Sequence, residues 1–279
     1  MEMVIRSFVA ASLIAVQGFC FAQAPSAGQS PELQAAALGW LTAGSIGRVA
    51  EKAEFHVKDG YTFLGAADTD KFLQLNGNPP QGGHSYTIAS TSKSWFGILS
   101  FAGEGYVKDD EKIDADALLK ALKEQNAAGN EEKKKKGYQT LSLEGWFFPP
   151  RYDQETKRLE WGTRLRAEDN STVVNVSTKI LGRSGYTHAI LVSSPESMET
   201  DLADFKKSLK NFDYVSGEKY SEWKEGDKIA AFGLAALVLG GAAAVATSKG
   251  GLKMIFLAAA AAVAGLWAGV KKFFSRKKQ

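Results

Sequence analysis

The sequence predicts an α+β fold, an antiparallel sheet flanked by helices, followed by a C-terminal helical hairpin that crosses a membrane. Three observations predict it. Between Arg158 and Val192, segments alternate apolar and polar residues with period two, the pattern of antiparallel strands. After Asp114 and after Pro195, apolar residues instead recur at helical spacing. Residues 229–247 and 254–270 carry no charged side chain at all. No internal repeat and no β-α-β rhythm is present, which argues against a nucleotide-binding parallel sheet.

The 279 residues are 44% apolar and 11% aromatic, enough for a packed core, which excludes a disordered chain. One cysteine, Cys20, excludes a disulfide scaffold. The net charge of +3 hides an asymmetry, because the stretch from Ile229 to Gln279 holds basic residues and no acidic ones.

From the N-terminus, residues 1–24 read as a signal peptide: Arg6, an apolar run, and the cleavage site Ala22-Gln23-Ala24, where small residues suit a shallow peptidase pocket. Phe19 before Cys20 argues against lipidation, and cleavage after Ala24 leaves a mature chain without cysteine. Residues 25–37 read as a linker and 38–228 as the extracytoplasmic domain. Within it, residues 53–57 and 61–65 flank Lys58-Asp59-Gly60 as a hairpin. A short helix is expected over 68–75, ended by Asn76-Gly77 and barred from continuing by Pro79-Pro80. Strands follow over 85–90 and 94–102.

Asp114 is placed to cap the next helix, with Ile113 and Leu118 forming a hydrophobic staple. The stretch NAAGNEEKKKKG after it reads as a solvated, mobile loop. A four-stranded meander then runs to Val192. Leu159, Trp161, Thr163 and Leu165 share one face, and Arg158, Glu160, Arg164 and Arg166 the other, with one side of the sheet the more exposed. The last helix of the domain carries Met198, Leu202, Phe205, Leu209 and Phe212 on one stripe.

The two uncharged runs, 229–247 and 254–270, are expected to form the membrane hairpin, with a basic tail over 271–279. Gly240 and Ala244 on the first, and Gly265 and Gly269 on the second, supply small residues at the spacing that lets helices pack closely in lipid. A hairpin leaves the basic tail outside, whereas a single crossing by the second run keeps it in the cytoplasm, as positive-inside bias prefers. Either topology puts the domain on the outer, periplasmic side of a bacterial inner membrane.

Motifs for chemistry are sparse. His56, His84 and His188 share no metal-ligand spacing. Ser90-Thr91-Ser92-Lys93 matches S-x-x-K but sits between strands and lacks the companion motifs of acyl-serine enzymes. Asp109, Asp110, Glu111, Asp114 and Asp116 lack the spacing of a calcium loop and read as a solvated helix start. Lys133 to Lys136 beside Glu131 and Glu132 read as a solvated loop. Trp146, Phe148, Pro149 and Pro150 form a candidate interaction patch. No catalytic, cofactor-binding or metal-binding residue is singled out. The expected partners are the lipid bilayer and an envelope or membrane protein, with no nucleic acid.

Five stretches carry a family resemblance. They are GYTFLGAADTDKFLQLNGNPP, GYVKDDEKIDADALLKALKEQN, GWFFPPRYDQETKRLEWGTRL, NVSTKILGRSGYTHAILV and YSEWKEGDKIAAFGLAALVLGG. In that order they resemble the bacterial family of membrane-anchored proteins known as domain of unknown function 2167. The resemblance implies a signal peptide, an extracytoplasmic domain and a C-terminal anchor, and it carries no site residues. The early DGYTF, the meander and a closing helix ending in F-x-Y-V are also similar to the PsbP/Mog1-like α/β/α sandwich. The function expected is that of a membrane-anchored envelope protein acting as a non-catalytic binding or assembly module. The alternative is an envelope hydrolase, or an enzyme acting on lipid or glycan, whose site is assembled only in the fold, for example from acids near Asp109 with His188 or Arg164.

Overall fold

In the computed structural model, which describes residues 30–241 apart from 77, 79 and 136–138, the chain forms two antiparallel sheets and helices that cover them. After α1 (Pro31–Ala36), β1 (Ile46–Val49) and β2 (Ala53–His56) pair with each other. β3 (Tyr61–Leu64), α2 (Ala66–Leu75), β4 (Ser85–Ser90), β5 (Phe96–Ala102) and α3 (Ala115–Lys135) follow. The meander is β6 (Leu141–Asp153), β7 (Arg158–Ala167), β8 (Thr172–Leu181) and β9 (Tyr186–Val192). α4 (Met198–Ser208), β10 (Phe212–Tyr214) and α5 (Leu234–Leu239) complete the described chain. The large sheet has the order β3-β4-β5-β9-β8-β7-β6, and the small one β1-β2-β10. The α+β class with antiparallel sheets is therefore as the alternation predicts.

The expected one-sided sheet is not what forms, because both faces of the large sheet are covered. One face packs Leu99, Val176, Ile180, Ala189 and Leu191 against Met198, Phe205 and Leu209 and against Phe55 and Tyr214 of the small sheet. The other packs Leu159, Trp161, Leu181 and Tyr186 against Leu118 of α3 and Leu234, Leu237 and Val238 of α5. The apolar rows of β7 and β8 thus face opposite ways: Leu159 is paired with Lys179, whereas Ile180 is paired with Arg158. Edge strand β6 is interrupted by register shifts around Gly145 and the Pro149-Pro150 pair, which blunts its capacity to recruit another strand.

Three expectations are corrected. β2 and β3 do not form a hairpin. β2 belongs to the small sheet and β3 pairs with β4, so the turn at Gly60 (φ +90°) passes the chain between layers. Phe55 and Phe63 stack across that gap with centroids 6.0 Å apart. Residues 126–135 are not a loop: α3 continues through them because Asn126 and Asn130 both donate to the Leu141 carbonyl, at 2.8 and 2.9 Å, while Asn126 Oδ1 accepts from the Leu143 amide. Their polarity serves the edge of the sheet. Lys136 lies outside the described residues.

The third correction concerns the first uncharged run. Its described part, residues 229–241, is not a continuous helix. Ala230 donates to the Tyr106 carbonyl at 2.9 Å, and only Leu234–Leu239 is helical. Gly240, at φ +114° in the left-handed region glycine tolerates, ends the helix. Gly240 is thus a helix terminator, and Ala244, its counterpart in the expected packing stripe, lies outside the described residues. Among the described residues no helix is long and apolar enough to cross a membrane. The signal peptide with Ala22 and Ala24, residues 25–29 of the expected linker, Ala244, Gly265, Gly269, the second run and the basic tail lie outside the described residues, whereas Pro31–Ala36 of that linker form α1.

Candidate functional site

The register of the large sheet brings Leu159, Lys179, His188 and Ser100 into one transverse row across β7, β8, β9 and β5. α2 covers one side of this face, where Thr69 meets Thr87 at 3.0 Å and Phe72 meets Phe96 edge-on. α3 and α5 cover the other. Between them His188, Ser177 and Ser100 are only half-buried.

Lys179 is 7% exposed. Among the described residues its ammonium makes neither a hydrogen bond nor an ion pair, and its contact is the Tyr186 ring, 4.7 Å from Nζ. Burial lowers its pKa from 10.5 to about 7. Burial, and then the neighbouring Lys179, hold His188 well below the usual histidine range, so the imidazole is neutral. Its Nε2 lies 3.2 Å from Ser177 Oγ. Burial and then Glu104 push Tyr186 up to about 12, so it stays a phenol.

A second cluster forms a corner of the domain. Tyr106 stacks on Tyr220 with centroids 4.4 Å apart and meets Trp223 at 5.4 Å. Beneath them Asp109 accepts from Tyr152 at 2.7 Å and from Lys157 at 2.8 Å. Burial raises the Asp109 carboxyl, but the hydrogen bonds from Lys157, Tyr152 and Tyr220 outweigh it and leave the group below its usual range. Burial, followed by Asp109, raises the Tyr152 phenol above its ordinary value.

With this geometry in place, the chain can be compared with known proteins. Residues 41–271 match the family described as Protein of unknown function (DUF2167). The chain belongs to that family. No curated protein matches this DUF2167 chain. The solution structure of cyanobacterial PsbP (CyanoP) from Synechocystis sp. PCC 6803 is similar over 70% of this chain and 98% of that one. The identity is 10% and the TM-score 0.35, so no functional property transfers from it.

The sequence-derived candidates of this DUF2167 protein are dispersed. Trp146 lies on the α3 side, its indole donating to the Ala115 carbonyl at 3.2 Å, while Phe148 lies against the α4 side beneath Lys206. Pro149 is exposed and Pro150 half-buried. Asp109, His188 and Arg164 are not brought together: Arg164 lies on the opposite sheet face, over the Phe147 ring. Ser90 Oγ accepts from the Ser92 and Lys93 amides, and Lys93 Nζ donates to the Thr200 carbonyl, so the S-x-x-K residues serve a turn.

The acidic run is also divided. Asp114 caps α3 through the Asp116 and Ala117 amides, and Glu111 accepts from the Ala235 amide at 3.0 Å. Among the described residues no group of three or more His, Cys, Asp or Glu side chains could hold a metal ion. Lys134 and Lys135 pair with Glu131 and Glu132. His188 has its hydrogen-bond partner in Ser177. What sequence reasoning missed is Lys179, because a sheet expected to have one exposed side gives no reason to look for a buried lysine.

Proposed function

We propose that this DUF2167 protein is a membrane-attached envelope protein whose α+β domain is a non-catalytic binding module, held with one corner against the outer surface of the bilayer. The observation that carries this reading is the corner built on Tyr106. Trp223 and Ile229, 37% and 44% exposed, are large hydrophobic side chains that both lie beside it. Lys224 and Lys228 flank them and are exposed. An amphipathic tryptophan beside exposed lysines is the composition favoured at a membrane–water interface. The same segment leads into the uncharged run 254–270 and its basic tail.

Tryptophan fluorescence tests it. The full chain is reconstituted into vesicles carrying a quencher at headgroup depth, and the Trp223 contribution is obtained by difference from Trp223→Phe. Quenching of that contribution by the lipid-borne probe is the expected result. Quenching by aqueous iodide alone would overturn the reading.

A further inference from the structure

We propose that the half-open stripe around Lys179 is a binding site for one oxyanion group, a carboxylate or a phosphate, carried by a small molecule. The argument starts from what the fold tolerates. A buried charge normally has a partner, since removing it from water costs several kcal/mol. Among the described residues Asn78 Oδ1, Arg158 Nε and Thr178 Oγ1 are buried without a hydrogen bond, but none of these is a buried ammonium, and the buried carboxylate of Asp201 follows the rule. Asp201, 2% exposed, accepts from Ser193 at 2.6 Å and from Ser197 at 2.7 Å. Among the described residues Lys179 has the Tyr186 ring alone.

The groups around Lys179 are those an oxyanion needs. Ser177 and Ser100 offer hydroxyl donors on the same face. The neutral His188 shares a hydrogen bond with Ser177 and adds no positive charge of its own. All three are half-buried and so reachable from solvent between the helical covers. A bound oxyanion would restore the ammonium's missing counter-charge, and hydrogen bonds to an ionised group are among the stronger ones. The row lies on the sheet face and not at the Tyr106 corner. Its failure would leave membrane attachment intact, which vesicle quenching reads separately.

The test is thermal unfolding of the full-length protein in detergent at pH 6.5, with inorganic phosphate or acetate titrated against chloride at constant ionic strength. At least one of the two anions is expected to raise Tm saturably, by about 3–5 °C at ten times its half-saturating concentration. A response to phosphate alone identifies a phosphate group as the natural one, and a response to acetate alone a carboxylate. Lys179→Met removes the saturable rise while itself unfolding at a higher temperature. Ser177→Ala, which keeps the cation, raises the half-saturating concentration about tenfold. No saturable rise with either anion, or the same rise in Lys179→Met, overturns the proposal.

Discussion

At the scale of single residues, Lys179 makes stability depend on pH in a direction that can be worked out. Its pKa is about 7 in the folded chain and 10.5 in the reference state. Between those values the unfolded chain binds more protons, so its contribution to stability rises with pH through that window. Below pH 7 both states are charged and the whole cost of burying the ammonium is present. Lys179→Met removes that cost and forfeits the contact with Tyr186. The variant is expected to exceed the parent at pH 6 by on the order of 3–5 kcal/mol, the gap closing as pH approaches 10.5. Urea unfolding of the pair at pH 6 and pH 10 checks it; a gap that ignores pH sinks the assignment of an unpaired cation. The phenols pushed up to about 12, Tyr61 and Tyr186, act in the opposite sense above pH 10 and cancel in the difference. Asp204 is a contrasting case, accepting from Tyr61 and from Trp95, each at 2.9 Å. Asp204→Ala strands the indole N–H in the core and weakens Tyr61, a loss of about 1–3 kcal/mol in the same assay, and Asp204→Asn recovers part of it.

At the scale of elements, the legible parts were those whose pattern is local. The start of α3 at Asp114 is confirmed by the amides that its carboxylate accepts, and the stripe of α4 by burial of Met198, Phe205 and Leu209. What local pattern did not contain is which layer an element joins. β2 and β3 read as a hairpin because turn chemistry sits between them, but pairing is decided by distant strands β10 and β4. Asn126 and Asn130 read as loop because their partner, the Leu141 carbonyl at the sheet edge, is remote in sequence. Replacing both by Ala leaves that carbonyl without its side-chain donors. About 1–3 kcal/mol of stability is expected to go, with faster amide exchange in residues 126–135 than in 115–122. Uniform exchange along α3 would show that the asparagines do not hold it. Lys179 went unseen for a related reason: alternation reports two faces of a strand and is silent on whether both are covered.

At the scale of the whole molecule, the first uncharged run has been divided between two roles, and this bears on how the protein meets the membrane. Leu234, Leu237 and Val238 are each at most 5% exposed and belong to the core, so residues up to Gly241 belong to the domain. Fully burying such side chains contributes about 1.5–3 kcal/mol each. Truncation after Gly241 should therefore leave a folded domain, whereas truncation after Lys228 should lower its Tm or prevent folding. Only Ala242 to Thr247 of the run then remain, and even as helix six residues extend about 9 Å against a hydrocarbon thickness of about 30 Å. Under the proposed attachment the crossing falls to residues 254–270, which also puts the basic tail on the side that positive-inside bias prefers. Single cysteines at Ser26, Ser248 and Ser275, in a chain whose native Cys20 is replaced, read this out with a membrane-impermeant maleimide. Labelling of Ser26→Cys and Ser248→Cys in cells with a permeabilised outer membrane, and of Ser275→Cys only after the inner membrane is opened, is the pattern expected of one crossing. A hairpin exchanges the behaviour of the last two positions, so a Ser275→Cys that reacts from outside would return the first run to the membrane and contradict the packing of α5.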